Sequence, residues 1–124
     1  MISFTIERRA LGWNKFMRMH FRARHKLNED WVTETMRCMH LVRADFSAVR
    51  LPIKIEVTTF SKSPLDADNI LDKVIIDGIK QVAGFDDCYK NLMSVETCSK
   101  KVIKGEPECI KIIIKDQDDY NRRD

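Results

Sequence analysis

The sequence predicts a small α+β domain whose mixed sheet follows the order β-α-β-α-β-β, with helices packed on it and an antiparallel hairpin at the C-terminus. Short runs of alternating apolar and polar residues indicate half-buried strands. Between them, two longer stretches place apolar residues three and four positions apart, which is typical of helices that pack on a sheet. A length of 124 residues with 44% hydrophobic and 33% charged residues fits one ordinary globular domain.

Composition argues against several classes of protein. No apolar run approaches the roughly 18 residues of a membrane span, and the N-terminus lacks the basic and apolar regions of a signal peptide. The four cysteines show no C-x-x-C spacing. Reduced thiols are therefore expected, with a structural zinc site less favoured, and the expected location is intracellular.

The first element is a strand over residues 2–7, followed by a basic segment over residues 8–26. The basic segment holds seven Lys or Arg and no acid, and aromatic residues are interspersed with them. We interpret it as a long loop in which cations contact phosphate and aromatic rings stack on exposed bases. The alternative is that the rings anchor the loop in the core and the charges are simply solvated. The predicted DNA contacts are Lys15, Arg18, Arg22, Arg24 and Lys26.

A packing helix is predicted over residues 28–44, with Asn28 as its N-cap. Pro52 then opens a strand over residues 53–60, in which Ile53, Ile55, Val57 and Thr59 share one face.

Residues 64–88 contain six aspartates and two lysines. Asp66 and Asp68 share a side if the chain stays extended there, and Asp86 and Asp87 follow a helix predicted over residues 69–82. Four carboxylates gathered at one edge of a sheet would suit a hard cation. The alternative is a helix with acidic turns, capped by Asp68 or by Asn69 with Asp72.

Two glycines indicate how this helix packs and where it ends. Gly78 lies on its apolar face and predicts close approach to the sheet, whereas Gly84 is the expected C-cap. Beyond it, two strands over residues 91–103 and 107–115 are predicted to form a hairpin with its turn at 104–105. The domain should end near residue 115, because the tail 116–124 shows no apolar pattern and is expected to be disordered.

The motif D-A-D-N at residues 66–69, with G-F-D-D at 84–87, resembles the RusA family of Holliday-junction resolvases, small phage and prophage endonucleases. The element order and the W-N-K-F segment at 13–16 resemble that family too. The family's lysine usually lies four residues after the second aspartate, where this chain has Asp72, with Lys73 one residue later. This departure leaves open a catalytically impaired protein that binds DNA junctions.

The resemblance implies a Mg²⁺-dependent hydrolase, with Mn²⁺ as a substitute, that resolves four-way junctions by phosphodiester hydrolysis in DNA recombination and repair. It implies metal ligation by Asp66, Asp68 and Asp87, with Asp86 beside them, and stabilisation of the phosphate or leaving oxygen by Lys73. The catalytic set would be Asp66, Asp68, Asp87 and Lys73, and Asn69 would orient a ligand or contact DNA. Such proteins act as homodimers, and the expected location is the cytoplasm of a bacterial or phage-infected cell.

Overall fold

The computed structural model describes residues 1–86 and 88–121. Its strands are β1 (Ile2–Ile6), β2 (Ile53–Ser61), β3 (Leu92–Lys101) and β4 (Cys109–Lys115). Its helices are α1 (Trp13–Met17), α2 (Phe21–Leu41), α3 (Lys73–Ala83) and α4 (Gln117–Tyr120), with a 3-10 turn at Ala67–Asn69. The predicted α+β class with a mixed sheet is confirmed. None of the helices in the described part of the chain is long and apolar enough to cross a membrane.

The four strands form one sheet in the order β1-β4-β2-β3. Every second side chain of β2 is buried in the core. Strand β4 contributes the fully buried Ile110, Ile112 and Ile114. Core residues of α2 and α3 pack in the same cluster as these strand residues, among them Trp31, Met39 and Ile75. The predicted strands over 2–7 and 53–60 are confirmed.

The predicted C-terminal hairpin is wrong, because β3 and β4 lie on opposite sides of β2. Strand β3 runs parallel to β2, whereas β4 runs antiparallel to it and also pairs with β1. The isoleucine-rich β4 gains more by lying between two strands, while the polar β3 suits an edge. Crossing one strand requires about 10 Å, which residues 102–108 span easily at about 3.3 Å per residue.

The basic segment is largely helical, and its interpretation as a long loop is wrong. It contains α1 and the first two turns of α2, which begins at Phe21 and not near residue 28. The N-cap is His20, whose ring nitrogen accepts a hydrogen bond from the Arg22 amide at 3.2 Å, so the predicted Asn28 cap is also wrong. Residues 21–26 are mostly exposed, so their sequence shows no apolar periodicity. Their helical conformation is an N-terminal extension of the packed turns of α2 that follow.

Helix α3 is reached through the 3-10 turn and begins at Lys73, four residues later than predicted. Gly84 ends it in the left-handed conformation with φ of 77°, which confirms the predicted C-cap. Gly78 does mark a close approach, but its neighbour is α2. A Cβ atom placed at Gly78 would lie 2.7 Å from the Thr35 Cβ atom. The prediction of contact with the sheet is therefore wrong.

Residues 116–121 are ordered, so the predicted disorder of the tail is wrong for this part of it. The Asp116 carboxylate accepts hydrogen bonds from the amides of residues 118 and 119, and the Asp116 amide donates one to the Asp119 carboxylate at 3.0 Å. Asp119 also lies 3.2 Å from the N-terminal amine of Met1, and Tyr120 donates a hydrogen bond to the Pro52 carbonyl at 2.9 Å. Residues 122–124 lie outside the described residues.

Candidate nucleic-acid interface

A cleft of about 590 Å³ separates residues 9–18 from residues 65–69, and we call it the basic cleft. Its lining contains three cations and two asparagine side chains. They are Arg9, Lys15, Arg18, Asn14 and Asn69, and the remaining lining residues are Ala10, Leu11, Gly12 and Leu65. Two segments separated by nearly fifty positions in the sequence therefore build one polar, open site.

Three backbone and side-chain contacts hold the walls of the basic cleft together. The Leu71 amide donates to the Leu11 carbonyl at 2.8 Å, and Gly12 forms an isolated β-bridge with Ile70. The Asn14 amide, in the first turn of α1, donates to Asn69 Oδ1 at 3.0 Å. Gly12 has no side chain to cap α1, so Asn69 supplies that acceptor from the opposite wall.

The cleft is positively charged, and none of its described lining residues carries a carboxylate. Lys15 and Arg18 form no ion pair with any described residue. Arg9 has one distant partner, since its Nε atom lies 4.0 Å from Glu108 Oε2. Cations that are not neutralised by the protein raise the local concentration of anions such as phosphate groups.

The helical structure of the basic segment separates the predicted DNA contacts. Lys15 and Arg18 line the basic cleft together with Asn69, whereas Arg24 lines a different groove. Arg22 and Lys26 lie four residues apart on one exposed face of α2, because each residue turns a helix by about 100°. The structure thus brings three of these six residues into one site and leaves the other three outside it.

Arg9 and Asn14 also line the basic cleft, although neither was predicted as a site residue. Arg9 belongs to the basic segment, so its charge was a usable signal. Asn14 carries no such signal, because its place in the cleft depends on the contact with Asn69.

Asp66 and Asp68 belong to residues 65–69, which we call the acidic turn. Leu65 and Asn69 at its two ends line the basic cleft, and the two aspartates lie between them. Asp66 is extended, with φ of −60° and ψ of 143°, and the chain then turns into the 3-10 conformation. The extended geometry therefore ends at Asp66, and the predicted alternation of the two carboxylates does not hold. Thr97 of β3 fixes the turn by donating a hydrogen bond to the Ala67 carbonyl at 2.8 Å. Both aspartates are exposed and have no ion pair or side-chain hydrogen bond with the described residues.

Two other predicted site residues are engaged elsewhere. Asp86 accepts hydrogen bonds from the Cys88 amide at 3.3 Å and from Asn91 Nδ2 at 3.0 Å. Hydrogen bonding from Cys88, followed by that from Asn91, lowers the pKa of Asp86. Lys73 Nζ lies 3.6 Å from Asp77 Oδ2, one helical turn along α3. Asp87, the predicted third metal ligand, lies outside the described residues.

Within residues 1–86 and 88–121, no group of three or more His, Cys, Asp or Glu side chains could hold a metal ion. Asp66 and Asp68 nevertheless fit a hard cation by their chemistry, since they are exposed oxygen donors that no described residue engages. Mg²⁺ keeps several water ligands and is commonly bound by one or two carboxylates.

No protein-family model matches this sequence, and no curated protein matches it either. The resemblance to RusA resolvases therefore remains a prediction from the motif at residues 66–69 and 84–87. The basic cleft beside the acidic turn is a separate observation, because it comes from the fold.

Proposed function

We propose that this protein is a Mg²⁺-dependent endonuclease that acts on branched DNA, including four-way junctions, and works as a homodimer. The observation that carries the proposal is the placement of Asp66 and Asp68. These exposed carboxylates lie in the turn between Leu65 and Asn69, two residues that line the basic cleft together with Arg9, Lys15 and Arg18. Metal-dependent hydrolysis of DNA requires protein cations that bind the phosphate backbone and oxygen ligands that hold a metal ion near one phosphate.

The cations of the basic cleft would bind and orient the DNA backbone. Arg18 presents a planar fork of donors that suits two phosphate oxygens, whereas Lys15 acts as a point charge. These contacts are independent of base identity, so they favour shape and charge over sequence. Asn69 would keep both cations in place through its hydrogen bond to α1.

Asp66 and Asp68 would hold Mg²⁺ or Mn²⁺, with Asp87 as the third ligand that the family resemblance implies. A bound divalent ion lowers the pKa of a coordinated water and neutralises charge on the phosphate. Asp86 would support the turn through its hydrogen bonds to Cys88 and Asn91. Lys73 would need to leave Asp77 before it could stabilise a leaving oxygen.

A second candidate is a protein that binds junctions without cutting them. The contact of Lys73 with Asp77 and the engagement of Asp86 in its own turn favour this alternative. Both candidates use the basic cleft, and they differ only in hydrolysis.

A cleavage assay on a labelled four-way junction separates the two candidates. Asp68→Asn should reduce Mg²⁺-dependent nicking to background while junction binding stays within about twofold of wild type, because the variant removes a metal ligand and no DNA-binding cation. Asp45→Asn is the matched control, since Asp45 is also exposed but lies outside the acidic turn at residues 65–69. Wild-type nicking rates in Asp68→Asn would refute the metal site. Tight binding without cleavage by the wild-type protein in Mg²⁺ or Mn²⁺ would favour the second candidate.

A further inference from the structure

A second groove of about 230 Å³ lies between the α1 region, the start of α2 and the start of α3. Phe16 of α1 lines this groove, whereas Asn14 and Lys15 of the same short helix line the basic cleft. The groove is smaller than the roughly 300–1,000 Å³ of pockets that hold drug-sized ligands. Its lining residues are Phe16, Phe21, Arg24, His25, Asn28 and Lys73.

Phe21 gives this groove an exposed aromatic wall. The residue is 62% exposed although it is a large apolar side chain. The His20 ring lies 4.6 Å from the Phe21 ring, and the Arg22 guanidinium lies 5.9 Å from its centre. Exposed rings accompanied by cations are typical of surfaces that stack bases of single-stranded nucleic acid.

Arg24 gives the groove a donor without an acceptor. Its Nε atom is buried and has no hydrogen-bond partner among the described residues, and its Nη1 atom reaches only the Met17 sulfur at 3.7 Å. An unpaired buried N–H group is unfavourable, so movement of the Arg24 side chain toward an acceptor oxygen of a ligand in the groove would be favoured. Lys73, whose side chain is 62% exposed, adds a second cation to the same groove.

We propose that this groove holds one unpaired nucleotide of a DNA strand whose backbone continues into the basic cleft. The base would stack on Phe21, and a phosphate or base oxygen would accept hydrogen bonds from Arg24 and Lys73. This inference rests on the proposed binding of DNA and adds a preference for unpaired nucleotides. It also gives Lys73 a role in binding rather than in hydrolysis.

The test compares a duplex that carries one unpaired 2-aminopurine with the same duplex fully paired. For the wild-type protein, 2-aminopurine fluorescence should be quenched on binding only when the base is unpaired. Phe21→Ala should abolish that quenching and weaken binding of the unpaired substrate by about 5- to 150-fold, the range that stacking of one base supports. Leu41→Ala is the matched control, because Leu41 is 68% exposed at the other end of α2.

A second variant tests the phosphate contact. Arg24→Gln should lower the salt dependence of binding to the duplex with the unpaired base by about 0.7–0.9 in the slope of log K against log salt concentration, the contribution of one phosphate. Binding of the fully paired duplex should stay unchanged in Phe21→Ala and Arg24→Gln, because it depends on the basic cleft.

The outcomes separate this inference from the proposed function. If the wild-type protein binds duplex DNA without preferring the unpaired base, or if Phe21→Ala behaves like Leu41→Ala, the groove inference alone is wrong. If the wild-type protein binds neither DNA, the proposed function is wrong and the groove inference is wrong with it.

Discussion

Replacing Asn69 with alanine should loosen the basic cleft, because Asn69 Oδ1 is the acceptor for the Asn14 amide. The bond joins residues 55 positions apart and caps a helix that has glycine at its N-cap position. Removing a capping side chain typically costs about 0.5–2 kcal/mol. The Asn14 amide is exposed, so water can replace the lost acceptor in part, and we expect about 0.5–1 kcal/mol of destabilisation.

A loss of that size should lower the Tm by about 2–6 °C in thermal unfolding followed by circular dichroism. DNA binding should weaken as well, because Lys15 and Arg18 are positioned by α1. Asn69→Asp is the matched control: it keeps the acceptor oxygen, so stability should stay close to wild type, but it adds a negative charge to the cleft and should weaken DNA binding. If Asn69→Ala unfolds at the wild-type temperature, the cap does not hold the cleft together.

Two further predictions concern α3. Gly78→Ala should destabilise the protein by about 1–2 kcal/mol in urea unfolding, because a Cβ atom 2.7 Å from the Thr35 Cβ atom forces α2 and α3 apart. A variant more stable than wild type would show that α2 and α3 can separate without loss of stability. Burial raises the pKa of Asp72 from 3.8, and this exceeds the opposing effect of nearby backbone amides. Its ionisation therefore costs stability as the pH rises through the folded-state pKa. Asp72→Asn should remove that cost, so its advantage over wild type should grow from pH 4 toward pH 7, and a constant difference would contradict the sign.

The strands could be predicted because burial imposes a period of two on them. In β2, residues from Ile53 to Ser61 alternate between buried and half-buried positions, as their sequence indicates. The partner of each strand could not be predicted in the same way. Strand pairing depends on which strand buries most apolar surface in a central position. Burial of the β4 isoleucines between β1 and β2 outweighs the preference for a hairpin that the short connection from β3 would give.

The basic segment shows why an exposed helix is hard to recognise. Residues 21–26 have no apolar stripe, since almost none of their side chains is buried. Their charge suggested a contact with phosphate, but only helical geometry shows that Arg18 and Arg24 line different grooves.

The candidate site was predictable in its residue types but not in its contacts. Asp66 and Asp68 stood out because capping requires only one acid. The alternation expected for them ended at the 3-10 turn, which is held by Thr97 of a distant strand. The bond between Asn14 and Asn69 likewise depends on tertiary structure and leaves no local pattern in the sequence.

Phosphate binding in the basic cleft is tested most directly by the salt dependence of four-way junction binding by Arg18→Glu. Arg43→Glu is the matched control, because it makes the same change in net charge at an exposed position that does not line the cleft. If Arg18 contacts phosphate, Arg18→Glu weakens binding at every salt concentration and reduces the slope of log K against log salt by about one, while Arg43→Glu leaves the slope unchanged. Equal slopes for Arg18→Glu and wild type would contradict phosphate binding in the basic cleft.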